Sequence, residues 1–257
     1  MKIFGLIEGQ NFLPFFCIYL YQKLLEQNVK RKIELFMVLF LLIGAIVVSW
    51  KLSELTTNVV KDVAIKATRE EPVIVVDPGH GGEDPGKVGI NDVLEKDLNL
   101  EIAMKVRDLL EEVGITVVMT REDDKVPERK KVDLGNRVEL INKTQPTLAL
   151  CIHQNSYTTP DIFGAQVFYH TKTEEAENVA GLVQESLREL DPNNKREIKK
   201  NDTYYMLKYC EVPTIIVECG FLTNPAEAQK LTTQEYQEEI AFAICEGIIK
   251  WLDNSSK

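Results

Sequence analysis

The 257-residue chain has three histidines, and two of them fall where catalytic sites are commonly built. His80 follows Val73–Val76, a β-branched run that reads as a buried strand, by way of Asp77-Pro78-Gly79. His153 follows a second such run, Leu148–Ile152. One lone histidine is more often structural, but two at the C-terminal ends of strands lie on the edge where open α/β sheets carry ligands. Two glutamates stand at comparable places. Glu95 opens a periodic apolar segment, and Glu218 ends the run Thr214–Val217. Taken alone, Glu95 is an ordinary first-turn residue favoured by the helix dipole. Glu218 follows residues that must be buried, so its carboxylate needs a partner or a metal. Two histidines and one glutamate form a set suited to zinc, with a fourth position open for water. A further glutamate suits the general base that takes a proton from that water. The chemistry is metal-assisted hydrolysis of an amide. Spacing alone does not prove it, because His80, Glu95 and His153 do not form a compact motif such as H-E-x-x-H.

The elements that would position these groups are readable. Strands are predicted over 73–76, 115–119, 148–152, 165–169 and 214–217. Leu98, Ile102, Val106, Leu109, Leu110 and Val113 recur at helical spacing over 95–113, with Gly114 as the C-cap. Further helices are predicted over 134–142, 174–190, 204–209 and 235–252. Strands alternating with helices imply a single α/β domain over 72–252, a sheet with helices on both faces.

The segment before this domain differs in kind. Leu35–Val48 is fourteen residues without a charge, preceded by Lys30-Arg31-Lys32, and the apolar stretch widens to 33–50. That is near the roughly 20 residues a membrane helix needs. The basic flank predicts residues 1–32 in the cytoplasm and the rest outside. No A-x-A-like cleavage site follows, so an uncleaved signal anchor is expected, with 51–71 as a helical or extended stalk. Phe12–Tyr21 is a second apolar patch, broken by Pro14, which is either an interfacial segment or translated from a start upstream of the one the cell uses. The net charge of −10 argues against a nucleic-acid partner.

Several blocks carry a resemblance. They are Val76-Asp77-Pro78-Gly79-His80-Gly81-Gly82, Glu95-Lys96 with Asn99-Leu100, and Thr120-Arg121 with Asp124. Arg137 with Asn142, Ile152-His153-Gln154-Asn155, Gly164 with Tyr169, and Glu218-Cys219-Gly220-Phe221-Leu222-Thr223-Asn224 follow in order. The set resembles the zinc-dependent N-acetylmuramoyl-L-alanine amidase family over nearly the whole domain. The resemblance implies a mixed, mostly parallel sheet, one Zn2+ held by His80, Glu95 and His153, and Glu218 as the catalytic glutamate. It implies hydrolysis of the amide between the muramic acid lactyl group and L-alanine of the peptidoglycan stem peptide. The short anchored form resembles amidases of spore-forming bacteria, where peptide removal precedes muramic δ-lactam formation. That places the domain outside the cytoplasm, between the two forespore membranes, with control left to a protein partner or to metal occupancy. Cys151 and Gln154 depart from the family pattern without removing a ligand. Two competing functions are a peptidoglycan-binding protein without catalysis and a zinc peptidase or deacetylase of the cell wall.

The remaining candidates read more plainly. Asp77 either orients a ligand histidine or forms the turn before Pro78. Glu83 and Asp84 read as solvated loop residues, and Arg121 and Arg137 as partners of acidic groups within the fold. Asn155 holds its loop or meets substrate, His170 is structural, and Tyr204 and Tyr205 are candidates for the groove's rim. The cysteines are expected as buried thiols, with a Cys151–Cys219 disulfide as the alternative.

Overall fold

The computed structural model describes residues 12–67, 71–126, 130–170 and 173–255. The expectations for residues 1–11 and 68–70 lie outside these. Two compact units are present, 1–70 and 71–257.

The described residues of the first unit form one helix, α1 (Phe12–Ala67). The sequence suggested a separate interfacial patch broken at Pro14, but the helix is continuous. Pro14 is its third residue, within the first turn, where backbone N–H groups have no intrahelical acceptor to lose. The stretch Tyr19–Glu54 is long and apolar enough to cross a membrane, a test that signal sequences also pass, and none of its most apolar window is buried.

The second unit alternates strands and helices: β1 (Val73–Pro78), α2 (Glu95–Glu112), β2 (Thr116–Met119), α3 (Lys130–Thr144), β3 (Leu148–Asn155), β4 (Gln166–Tyr169), α4 (Glu174–Leu190), β5 (Lys199–Lys200), α5 (Tyr205–Tyr209), β6 (Thr214–Phe221), α6 (Pro225–Leu231) and α7 (Gln234–Asn254). The six strands form one sheet in the order β2-β1-β3-β6-β4-β5. β4 runs antiparallel to β6, and every other pair is parallel. The sheet is therefore mixed and mostly parallel.

Side-chain alternation divides the core. Ile74, Val76, Leu148, Leu150, Ile152, Ile215 and Val217 pack with the apolar stripes of α2, α4 and α7 on one face. Val75, Ala149, Cys151 and Ile216 face Ile141 of α3 and Met206 and Leu207 of α5 on the other. Because both faces are covered, the central strands are continuous apolar runs, which made them easy to find. Thr173, Asn224 and Thr233 cap α4, α6 and α7 by accepting backbone N–H bonds.

β3 and β6 run further than their apolar stretches suggested, to Asn155 and Phe221. His153 and Glu218 thus stand on strands, rather than just beyond them. Their backbones are fixed by the sheet ladder, with His153 paired to Glu218 in register.

Candidate active site

A cleft of about 450 Å³ opens at the C-terminal ends of β1, β3 and β6, and His80, Glu95, His153 and Glu218 all line it. His80 follows β1 with φ of 61°, in the left-handed region that a non-glycine residue seldom adopts. Such strain concentrates at functional sites. Its Nδ1 lies 2.9 Å from an Asp84 carboxylate oxygen, which Lys130 Nζ also reaches at 2.7 Å. Burial tends to raise Asp84, but Lys130 and His80 outweigh it and hold the carboxyl at about 2. Asp84 is thus a buttress of His80, not a solvated loop residue. Nothing in the spacing signalled this, since the contact depends on the Gly81-Gly82 turn folding back.

Glu95 is the first residue of α2 and is buried. One carboxylate oxygen lies 3.0 Å from His153 Nδ1 and 3.3 Å from His80 Nε2, and accepts the Gln154 backbone N–H at 3.1 Å. The other accepts the Lys87 backbone N–H at 2.8 Å. Burial pushes Glu95 up, yet the bonds from His153 and His80 hold it far below the usual carboxylate range. His153 is pushed down by burial and raised, on balance, by Glu95. One ligand atom from each of His80, Glu95 and His153 lies within 4.8 Å of the others, a group able to hold a metal ion.

Two glycines make room for this convergence. A Cβ on Gly79 would overlap the His153 ring. A Cβ on Gly86, at φ of 66°, would stand 2.6 Å from a Glu95 carboxylate oxygen and 2.8 Å from the His80 ring.

Glu218 faces the same cleft in a different state. Its Oε2 is buried and has no hydrogen-bond partner among the described residues. Burial raises its carboxyl to about 7, His153 and His80 pull it down, and Glu95 pushes it up. The site thus holds one carboxylate fully engaged by its neighbours and one poised near neutrality.

Beneath the cleft lies a buried ion cluster. Arg137 meets Asp77 at 2.9 Å and Asp133 at 2.9 Å, and donates to the carbonyls of Pro78 and His80. Arg137 thus pairs with acids as expected. Asp77 bonds to Arg137 and Thr120, not to a histidine, so it braces the loop before His80. Arg121 departs from expectation: it donates to the carbonyls of Pro78, Gly79, Lys96 and Asp123 and forms no ion pair among the described residues. The carbonyls of the tight 78–79 segment have no strand partner there, and the guanidinium's fork of donors serves several at once. Cys151 and Cys219 are free and belong to opposite faces of the sheet, which excludes a disulfide between them. Tyr204 and Tyr205 both line the cleft.

The family model described as N-acetylmuramoyl-L-alanine amidase matches residues 74–250. The chain belongs to this family. It is 42% identical over 188 residues to the germination-specific N-acetylmuramoyl-L-alanine amidase of Bacillus subtilis (strain 168), covering 70% of this chain and 79% of that protein. It is 32% identical to the amidase AmiA of Escherichia coli (strain K12), over 71% of this chain and 78% of that one. Among solved structures, CwlD amidase from Clostridioides difficile, in complex with the GerS lipoprotein, superposes with a TM-score of 0.68 at 37% identity. That match covers 72% of this chain and all of the other. The amidase fold and family expected from the sequence are thereby established.

Proposed function

We propose that the chain is a zinc-dependent amidase of peptidoglycan, with His80, Glu95 and His153 as metal ligands and Glu218 as general base. The substrate bond is the amide between the muramic acid lactyl group and L-alanine of the stem peptide. The observation that carries this reading is Glu218: a buried carboxylate with an unpartnered oxygen, facing a convergent His/Glu/His group.

The donor set fits zinc, being two imidazoles and one carboxylate already drawn together. Zinc bound there would lower the pKa of water and polarise the scissile carbonyl. Asp84, accepting at His80 Nδ1, fixes that ring so that Nε2 points toward Glu95. Glu218 takes a proton from the attacking water as its oxygen adds to the carbonyl carbon. It then delivers a proton to the nitrogen of L-alanine as the carbon–nitrogen bond breaks. Burial raises this carboxyl in the metal-free cleft, and a bound cation would draw it back down, leaving it ionised to accept the first proton. The products are a glycan bearing a free lactyl carboxylate and a peptide beginning with L-alanine.

The relatives support a setting for this activity. Likeness to a germination-specific amidase supports a role in spore peptidoglycan, and within it we assign the chain the peptide removal that precedes muramic δ-lactam formation. The apolar stretch 33–50 of α1 serves as an uncleaved anchor, with 1–32 inside, 51–71 as stalk and 72–252 outside, in the forespore intermembrane space. The GerS lipoprotein bound to CwlD supports a protein partner for this chain also.

The test is to load the full-length protein with zinc in detergent, incubate it with peptidoglycan, and identify products by mass spectrometry. Released peptides with a free L-alanine amino terminus, over an intact glycan, are expected. Deacetylated sugars or peptides cut internally would overturn the assignment in favour of another wall hydrolase. No cleavage of vegetative or cortex polymer, with or without a partner, would favour a binding protein.

A further inference from the structure

We propose that a second cleft beside the site, carrying Arg196 and Lys199, is the subsite for the acidic arm of the stem peptide. The inference rests on the amidase reading above and says which way the substrate lies.

The cleft, of about 400 Å³, adjoins the first and shares Asn155 and Tyr204 with it. It lies across β6, β4 and β5. Gln166 of β4 pairs in register with Glu218, one strand away, and Arg196 Nη1 donates to Gln166 Oε1 at 3.2 Å. Arg196 also donates to the Phe163 carbonyl at 2.8 Å, and its guanidinium stands 4.5 Å from the centre of the Phe221 ring. It is therefore held by two acceptors and a ring, on the side chain of the residue paired with the proposed base. Lys199 pairs in register with Phe168, and its ammonium stands 5.7 Å from that ring.

The charge balance supplies the ligand chemistry. The second cleft has Arg196 and Lys199 in its lining and no carboxylate. Its neighbours on the chain are neutralised: Arg188 pairs with Glu197, and Lys200 with Asp202. Neither Arg196 nor Lys199 has an ion-pair partner among the described residues, although the chain carries a net charge of −10. The first cleft has cations as well, Lys130 and Arg137, but both are taken up by its own acids, Asp84, Asp77 and Asp133. Beyond L-alanine the stem peptide bears free carboxylates, whereas the glycan bears none once the lactyl group is in amide linkage. Among the described residues the first cleft therefore offers an anionic arm no unpaired Lys or Arg, whereas the second offers two. The peptide then leaves the scissile bond toward β5, past the Asn155–Tyr204 saddle, and the glycan leaves toward α3.

The experiment uses full-length, zinc-loaded protein in detergent and two soluble muropeptides, one with free stem carboxylates and one with them amidated. The native protein is expected to prefer the free acid. Lys199→Glu, a change at an exposed side chain, and Arg196→Gln are each expected to raise KM for the free acid about tenfold, with kcat nearly unchanged. KM for the amidated substrate should stay within about twofold, and Arg196→Lys should retain most of the preference. Equal effects on both substrates, or a loss confined to kcat, would overturn the subsite. If the native protein cleaves neither substrate, the amidase reading fails, and calorimetric binding of free stem tripeptide decides the subsite separately. Binding weakened by Lys199→Glu supports it; no binding, or equal binding, overturns it.

Discussion

The α2 side of the cleft and its β6 side each present one buried glutamate, and they treat it in opposite ways. On the α2 side, Glu95 accepts from two imidazoles and two backbone N–H groups, so burial is offset and the group stays ionised. On the β6 side, Glu218 has an oxygen with no partner, and burial raises its carboxyl to about 7. The difference lies in position more than in residue type. Glu95 reaches the N–H of Lys87 in the loop before α2 and that of Gln154, where the β3–β6 register shifts, whereas Glu218 stands in the regular part of that ladder. A carboxylate whose demands are met can serve as a fixed ligand; one whose demands are unmet can exchange a proton.

The largest effect expected from this contrast is on turnover. Glu218→Gln keeps the shape and removes the proposed base, so peptide release should fall about 10²–10⁴-fold, measured by product mass spectrometry. Residual turnover within threefold of native would break the assignment of roles.

A comparable free energy is expected from the ion cluster beneath the site. Asp77→Asn leaves Arg137 buried with Asp133 as its remaining acidic partner. Stability should drop by about 3–5 kcal/mol in urea unfolding. A loss below about 1 kcal/mol would mean that the cluster does not brace the loop before His80.

The pH dependence of metal-free protein sharpens the comparison further. Glu218 is raised from 4.5 to about 7 in the folded state, so its ionisation there costs more than in the unfolded chain. Its share of stability is present below 4.5 and is lost as pH rises through about 7. Asp77 has the opposite sign: burial raises it, but Arg137 and Thr120 more than compensate and hold it below 3.8, so its share is lost as pH falls below that value. Native protein should therefore lose stability relative to Glu218→Gln between pH 4.5 and about 7. Parallel curves in urea would show that Glu218 is not raised.

The smallest effect concerns α6. Asn224 accepts the backbone N–H groups of Ala226 and Glu227, and Glu227 in turn grips the N–H groups of Gly164 and Phe221. Asn224→Ala should cost about 1 kcal/mol of stability and leave turnover per folded molecule unchanged. A large loss of turnover would tie this cap to the position of Glu218.

Much of this arrangement was legible in the sequence for a physical reason. A strand covered on both faces must be apolar throughout, so β1, β3 and β6 announce themselves, and the chemistry follows where the apolar run stops. What was not legible depends on non-local contact. β5 is two lysines that become a strand only by pairing with β4. α6 has seven residues, too few to show helical periodicity, although Asn224-Pro225 marks its start. Asp84 and Arg121 looked like a surface acid and an ion-pair partner, yet each is defined by what the Gly-rich loop brings to it. The continuity of α1 through Pro14 follows from where the helix begins, which the apolar pattern did not reveal.

The most direct test of the account is zinc content and turnover measured on the same preparations of Glu218→Gln and Glu95→Gln. Glu218→Gln should retain one zinc per chain and release almost no peptide, and Glu95→Gln should lose both. Loss of zinc in Glu218→Gln, or full zinc in Glu95→Gln, would contradict the division of labour between the two buried glutamates.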